Sequence, residues 1–198
     1  MRELAPHGLA RNFRRNAIVV NEGDETDSLY VLLSGRVRVF ISDAQGKEVT
    51  LNQLGPGEYF GEITFDGGPR SASVMALEDT RCAVVKRSEL VALVERQPEF
   101  ALHMVRKLAH RVRHLTESVR SLALMDVYGR VARLLLELAE EQDGQLVIAE
   151  ALTHKEIASR VGASREMISR IFSDLNEGGY IRKDNGRLVI VRRPPPRW

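Results

Sequence analysis

The sequence predicts an α+β chain with an all-β N-terminal part, one long helix, and a helix-turn-helix backed by a β-hairpin. Three observations predict it. Residues 17–86 break into short runs with period-two alternation, separated by glycines. Between 105 and 122, apolar residues recur at alternating intervals of three and four. Residues 153–179, THKEIASRVGASREMISRIFSDLNEGG, pair two short amphipathic helices across a glycine turn.

In chain order, the runs 17–20, 29–33, 36–41, 48–54, 71–77 and 81–86 read as strands. Gly23, Gly35, Gly46, Gly55, Gly57, Gly61, Gly67 and Gly68 lie between them or at their ends. The regular spacing and the absence of helical periodicity favour an antiparallel sandwich or barrel over βαβ units. A short helix begins near Ser88. Gln97-Pro98-Glu99 then marks a break, with proline placed for the first turn of a new helix.

That helix carries Val105, Leu108, Val112, Leu115, Val119 and Leu122 as a heptad seam, the pattern of a coiled-coil dimer; the competing reading lays it along the β domain. Met125-Asp126 reads as a hinge, with Asp126 capping a helix over 127–141 that buries Val131, Leu134, Leu135 and Leu138. A strand over 146–149 follows. In the helix pair, the first helix buries Ile157, Ala158 and Val161, and Gly162-Ala163 turns the chain. The second buries Met167, Ile168, Ile171, Phe172 and Leu175. Residues 180–191 read as a hairpin closed by Asn185-Gly186, and the tail RRPPPRW as disordered. The expected domains are 1–97, 98–125 and 126–198.

Composition narrows the function. The chain has 198 residues, 43% hydrophobic and 28% charged, with a net charge of +2. From Thr153 onward ten Lys/Arg face five Asp/Glu, a local excess that suits a nucleic-acid footprint. The single cysteine, Cys82, excludes an internal disulfide and a four-cysteine cluster, and its apolar neighbours read as buried surroundings. His110 and His114 share a helix face without a nearby ligand cluster, so no metal site is expected. No Walker loop, nucleophile elbow or H-E-x-x-H occurs, so no catalytic residue or enzymatic role is expected. No apolar run reaches membrane-spanning length and no signal segment is visible, so no membrane partner and a cytoplasmic location are expected.

Three stretches, NEGDETDSLYVLLSGRVRVF, GEYFGEITFDGGPRSASV and VGASREMISRIFSDL, together resemble the cAMP receptor protein/FNR superfamily of bacterial transcription regulators, over nearly the whole chain. The resemblance implies an N-terminal antiparallel β-roll, a long dimerisation helix and a C-terminal winged helix-turn-helix. Only about a dozen residues precede the first expected strand, fewer than the family usually has. The implied partners are double-stranded DNA carrying an inverted repeat, a second copy of the chain, and RNA polymerase. Carried over by residue, Arg165 would take guanine, Glu166 cytosine and Arg170 a second guanine, consistent with a guanidinium fork meeting two acceptors and a carboxylate meeting an amino group. Ser169 matches a serine of the FNR branch. Ser164, Thr153 and His154 are candidate phosphate contacts. A plain solvated face, with Glu166 and Arg170 paired at i,i+4, is the alternative.

The resemblance also implies a phosphate-binding cassette, in which Glu62 accepts from a ribose hydroxyl and Arg70 pairs with a cyclic phosphate, with Gly61 and Ser71 completing the cradle. Leu115 and Thr116 match the helix position that meets the adenine. cAMP or another cyclic nucleotide is then the implied effector. The eight-residue spacing of Glu62 and Arg70 is one or two short of the nucleotide-binding pattern. Another small effector, or a remnant site with Arg70 paired to Glu62 or Asp66, stays open. A scaffold whose C-terminal part binds protein instead of DNA is the competing function.

Overall fold

The computed structural model describes residues 8–142, 144–149, 152–184 and 186–195. Its contacts divide the chain into two units, Met1–Arg113 and His114–Trp198. In the first unit, two four-stranded antiparallel sheets face each other. One has the order β1 (Leu9–Phe13), β8 (Thr80–Lys86), β3 (Ser28–Ser34), β6 (Tyr59–Phe60); the other, β2 (Ile18–Val20), β7 (Ser73–Ala76), β4 (Val37–Ser42), β5 (Glu48–Leu54).

β3 shows why its run is continuously apolar. Strand side chains alternate between faces, and here both faces are covered. Tyr30 and Leu32 join Val20, Val37, Phe60, Val74 and Cys82. Leu29 and Val31 point the other way, onto helix residues Leu90, Leu93, Phe100 and Met104. These belong to α1 (Arg87–Arg96) and to the start of α2 (Pro98–Leu124). Burying each large apolar side chain contributes about 1.5–3 kcal/mol.

Beyond Met104, the seam residues Val105, Leu108, Val112, Leu115, Val119 and Leu122 are all exposed in the single chain, Val112 and Val119 at 63% and 64%. The start of α2 therefore lies on the β-roll, and the rest leaves an apolar stripe uncovered.

The second unit is built around one core. Tyr128, Val131, Ala132 and Leu135 of α3 (Val127–Leu138) pack with Ile157, Ala158 and Val161 of α4 (His154–Val161) and Ile168, Ile171 and Leu175 of α5 (Arg165–Glu177). A sheet of order β11 (Ile181–Asp184), β12 (Arg187–Ile190), β10 (Gln145–Ile148), β9 (Glu140–Gln142) closes it through Ile148, Ile181 and Ile190. Asp126 caps α3, its Oδ1 accepting from the Gly129 amide at 2.7 Å. Arg130 then joins two helix ends, donating from Nη1 to the Met125 carbonyl and from Nε to the Val161 carbonyl, each at 2.8 Å. These are carbonyls that helix ends leave without intrahelical partners.

Four expectations are corrected. β1 forms within the residues read as preceding the first strand; its edge position leaves most of it exposed, so it carries no clear alternation. β6 spans two residues, too short for a periodic signal. α3 stops at Leu138, because Glu140–Gln142 pairs with β10; the pairing overrides the helix propensity of Glu and Gln. Met167 is 41% exposed instead of core. Asn185, the expected turn residue, and the end of the proline tail, 196–198, lie outside the described residues.

Candidate nucleic-acid interface and effector cassette

The reading face is assembled by α4, its turn and α5. Thr153 caps α4 in a reciprocal box: its hydroxyl accepts from the Glu156 amide at 3.2 Å and donates to the Glu156 carboxylate at 2.8 Å, while its own amide donates to that carboxylate at 2.7 Å. α4 ends at Gly162 in the left-handed region, φ 67°. A Cβ there would sit 3.0 Å from the Leu122 Cδ2, so glycine answers both a backbone and a packing demand. Ser164 then caps α5, its Oγ accepting from the Met167 amide at 3.2 Å.

With Ile168, Ile171 and Leu175 turned inward, Arg165, Glu166, Ser169 and Arg170 stand exposed together near the start of α5. Arg165, Glu166 and Arg170 form no ion pair among the described residues, so the i,i+4 couple of Glu166 with Arg170 is not made. Three charged side chains thus project without ion-pair partners among the described residues. His154 lies against Phe172, ring centroids 4.9 Å apart. Its pKa is lowered, first by burial and then by the positive charges of Lys183 and Arg165, which places Lys183 of the hairpin in the same electropositive neighbourhood. Ser164 and Thr153 are exposed at helix starts, but both hydroxyls already serve as caps.

The cassette, in the first unit, is arranged differently. Gly61 adopts φ 86° and begins a single 3₁₀ turn over Glu62–Phe65, in the segment shortened relative to the nucleotide-binding pattern. A Cβ on Gly61 would come within 2.6 Å of the Arg70 Nη1 and 2.8 Å of the Ser28 carbonyl oxygen. Arg70 is only 5% exposed. Its Nε donates to the Thr26 Oγ1 at 2.7 Å, Nη1 to the Gly61 carbonyl at 2.9 Å and Nη2 to the Ser28 carbonyl at 2.6 Å. Burial lowers its pKa, opposed by Tyr30, Glu62, Asp24 and Asp27.

Neither Glu62 nor Asp66 pairs with Arg70, contrary to the remnant-site reading. The Glu62 Oε1 instead meets the Arg111 Nη1 at 2.5 Å. Arg111 also donates to the Tyr59 carbonyl and lies 5.0 Å from the Tyr59 ring centroid. The other carboxylate oxygen, Oε2, is buried and has no hydrogen-bond partner among the described residues. Ser71 is exposed next to Arg70. Leu115 and Thr116 are exposed on the part of α2 that belongs to the second unit.

Arg111 is the principal site residue that sequence reasoning missed. It was visible only as one of several basic residues off the heptad seam, and nothing in spacing distinguishes it from Arg106 or Arg113. Cys82 is fully buried, with its thiol pushed up to about 12 by burial. His110 and His114 are exposed, and no metal-binding group of three or more His, Cys, Asp or Glu occurs among the described residues. Among those residues no helix is long and apolar enough to cross a membrane.

Comparison with known proteins gives concordant results. Residues 10–97 match the cyclic nucleotide-binding domain and residues 129–195 the Crp-like helix-turn-helix domain. A CRP-like cAMP-activated global transcriptional regulator of Mycobacterium tuberculosis is 35% identical over 185 residues, covering 91% of this chain and 82% of the relative. A cyclic AMP receptor protein of Thermus thermophilus is 38% identical over 170 residues, covering 85% and 77%. In fold, the c-di-GMP-responsive regulator CLP of Xanthomonas campestris superposes with a TM-score of 0.84 at 24% identity, covering 96% of each chain.

Proposed function

Because this chain belongs to the cAMP receptor protein/FNR family of DNA-binding transcription regulators, we propose that it works as a homodimer reading an inverted-repeat operator, with a cyclic nucleotide held in the β-roll as its effector. The observation that carries the reading is the first half of α5, where Arg165, Glu166, Ser169 and Arg170 face solvent while the opposite stripe is full. Arg165 and Arg170 are assigned to guanines, Glu166 to cytosine, and Ser164, Thr153 and His154 to the phosphate backbone. The exposed seam from Val105 to Leu122 is the dimer surface: an apolar stripe of that length on a helix is stable in water when a second copy covers it. A parallel pair relates the two reading heads by a two-fold axis, which is why the operator is an inverted repeat. RNA polymerase is the further partner and the cytoplasm the compartment; no catalytic step is assigned.

The cassette fits a cyclic nucleotide, cAMP or a relative of it. The unpartnered Glu62 Oε2 is an acceptor that a ribose hydroxyl satisfies, and leaving it unsatisfied costs about 1–3 kcal/mol. Arg70 keeps two of its five N–H groups uncommitted for an anion. Arg111 orients Glu62. When bound, the nucleotide supplies a charge and a hydroxyl between these groups. The effector then biases the arrangement of the dimer helices and reading heads.

Calorimetry with cAMP and cGMP, paired with gel shifts on selected duplexes, tests the assignment. Expected are measurable binding heat that Arg70→Ala abolishes, and far tighter binding to an inverted repeat than to one half-site. No heat with either nucleotide would remove the effector class, and equal affinity for half-site and repeat would remove the dimer.

A further inference from the structure

Met167 occupies a position that the reading assigned so far leaves unused. Among the apolar residues of α5 it alone is exposed, at 41%; Ile168, Ile171 and Leu175 are buried and Phe172 partly so. The core it might have joined is therefore already filled from the neighbouring turns of its own helix. Its backbone amide donates to the Ser164 Oγ at 3.2 Å, which fixes it as the third residue of the helix. At 3.6 residues per turn it projects about 60° from Arg170 and about 100° from Glu166 around the helix axis. Its neighbours in the outward arc, Glu166, Arg170 and Asp174, are all exposed and polar.

An unbranched thioether placed among base-reading groups cannot donate and accepts only weakly, so it adds nothing to the hydrogen-bond code. The major groove offers it one apolar target, the C5-methyl of thymine. Arginine and glutamate discriminate guanine and cytosine, and neither registers that methyl. We propose that Met167 is a specificity-determining residue that reads a thymine methyl in each half-site, beside the positions read by Glu166 and Arg170. Its flexible side chain adapts to the methyl, and burying that contact is the gain. The proposal rests on the DNA-reading assignment above.

The experiment uses the full chain and an operator enriched by it from random duplexes. Each thymine in a half-site is replaced in turn by uracil, which removes only the methyl. For the wild type, one position is expected to lose about fourfold in affinity per half-site, the effect of one buried methyl-sized group. In Met167→Ala and Met167→Gln the same replacement should change affinity by less than about 1.5-fold, while guanine-to-inosine or cytosine changes elsewhere keep their penalties. Thermal melts of both variants should match the wild type, since the side chain is outside the core. An operator with no uracil-sensitive position, or a uracil penalty that persists in both variants, overturns the role of Met167 and leaves DNA reading intact. Failure to enrich any operator overturns the DNA-reading assignment itself.

Discussion

Two sets of arginines mark the difference between the two units of this molecule. Arg165 and Arg170 stand in solvent on α5, without an ion pair among the described residues. Arg70 is buried, and three of its donors hold the carbonyls and hydroxyl that shape the cassette. The same side chain is proposed as a reader in one place and serves as a strut in the other. The difference teaches that, on the proposed reading, Arg165 and Arg170 meet DNA without giving up any ion pair made among the described residues. The proposed effector site, by contrast, must share Arg70 between its own backbone and a ligand.

The contrast can be broken most sharply through stability. Arg70→Ala should destabilise the β-roll unit by about 3 kcal/mol, because the Gly61 and Ser28 carbonyls lose their buried donor. Arg170→Ala should cost less than about 0.5 kcal/mol. Urea titrations of the two variants check this, and equal midpoints would show that Arg70 is not a strut. The next effect is on DNA: Arg165→Ala and Arg170→Ala should each weaken operator binding by about 1–3 kcal/mol and relax the sequence preference at one base pair per half-site. Loss of affinity without loss of preference would instead identify them as phosphate contacts.

The smallest effect concerns His154. Its pKa is lowered in the folded state by burial and by Lys183 and Arg165, so as pH falls through the ordinary histidine range the unfolded chain takes up the proton first. Stability of the second unit should fall as pH drops from 7 through that range. His154→Asn should flatten this part of the profile in thermal melts at several pH values. Bound DNA should act in the opposite direction, because a phosphate near His154 favours its charged form.

Much of this was legible beforehand because it is local. The 3.6-residue pattern around Gly162, the cap Asp126 and the alternation in β4 all depend on neighbours within a few positions. The exposure of Arg165, Glu166 and Arg170 was legible for the same reason, since a buried stripe leaves its complement exposed. Met167 escaped, being apolar and next to that stripe, because hydropathy cannot say that Ile168 and Ile171 already fill the space. β9 escaped because Glu140–Gln142 is strand only by virtue of its partner.

By itself the sequence determined the order of the parts, most of the element types, the turn at Gly162 and which polar side chains of α5 stand exposed. All of these follow from backbone preferences and periodicity over short distances. Only the tertiary structure decided what the cassette residues do. Whether Glu62 would meet Arg70 or Arg111 depends on how α2 lies against the 3₁₀ turn, and Arg70's donors go to carbonyls more than forty positions away at Ser28 as well as nearby at Gly61. Ion pairs and buried hydrogen bonds are set by where distant segments come to rest, and the spacing of residues along a chain carries no record of that.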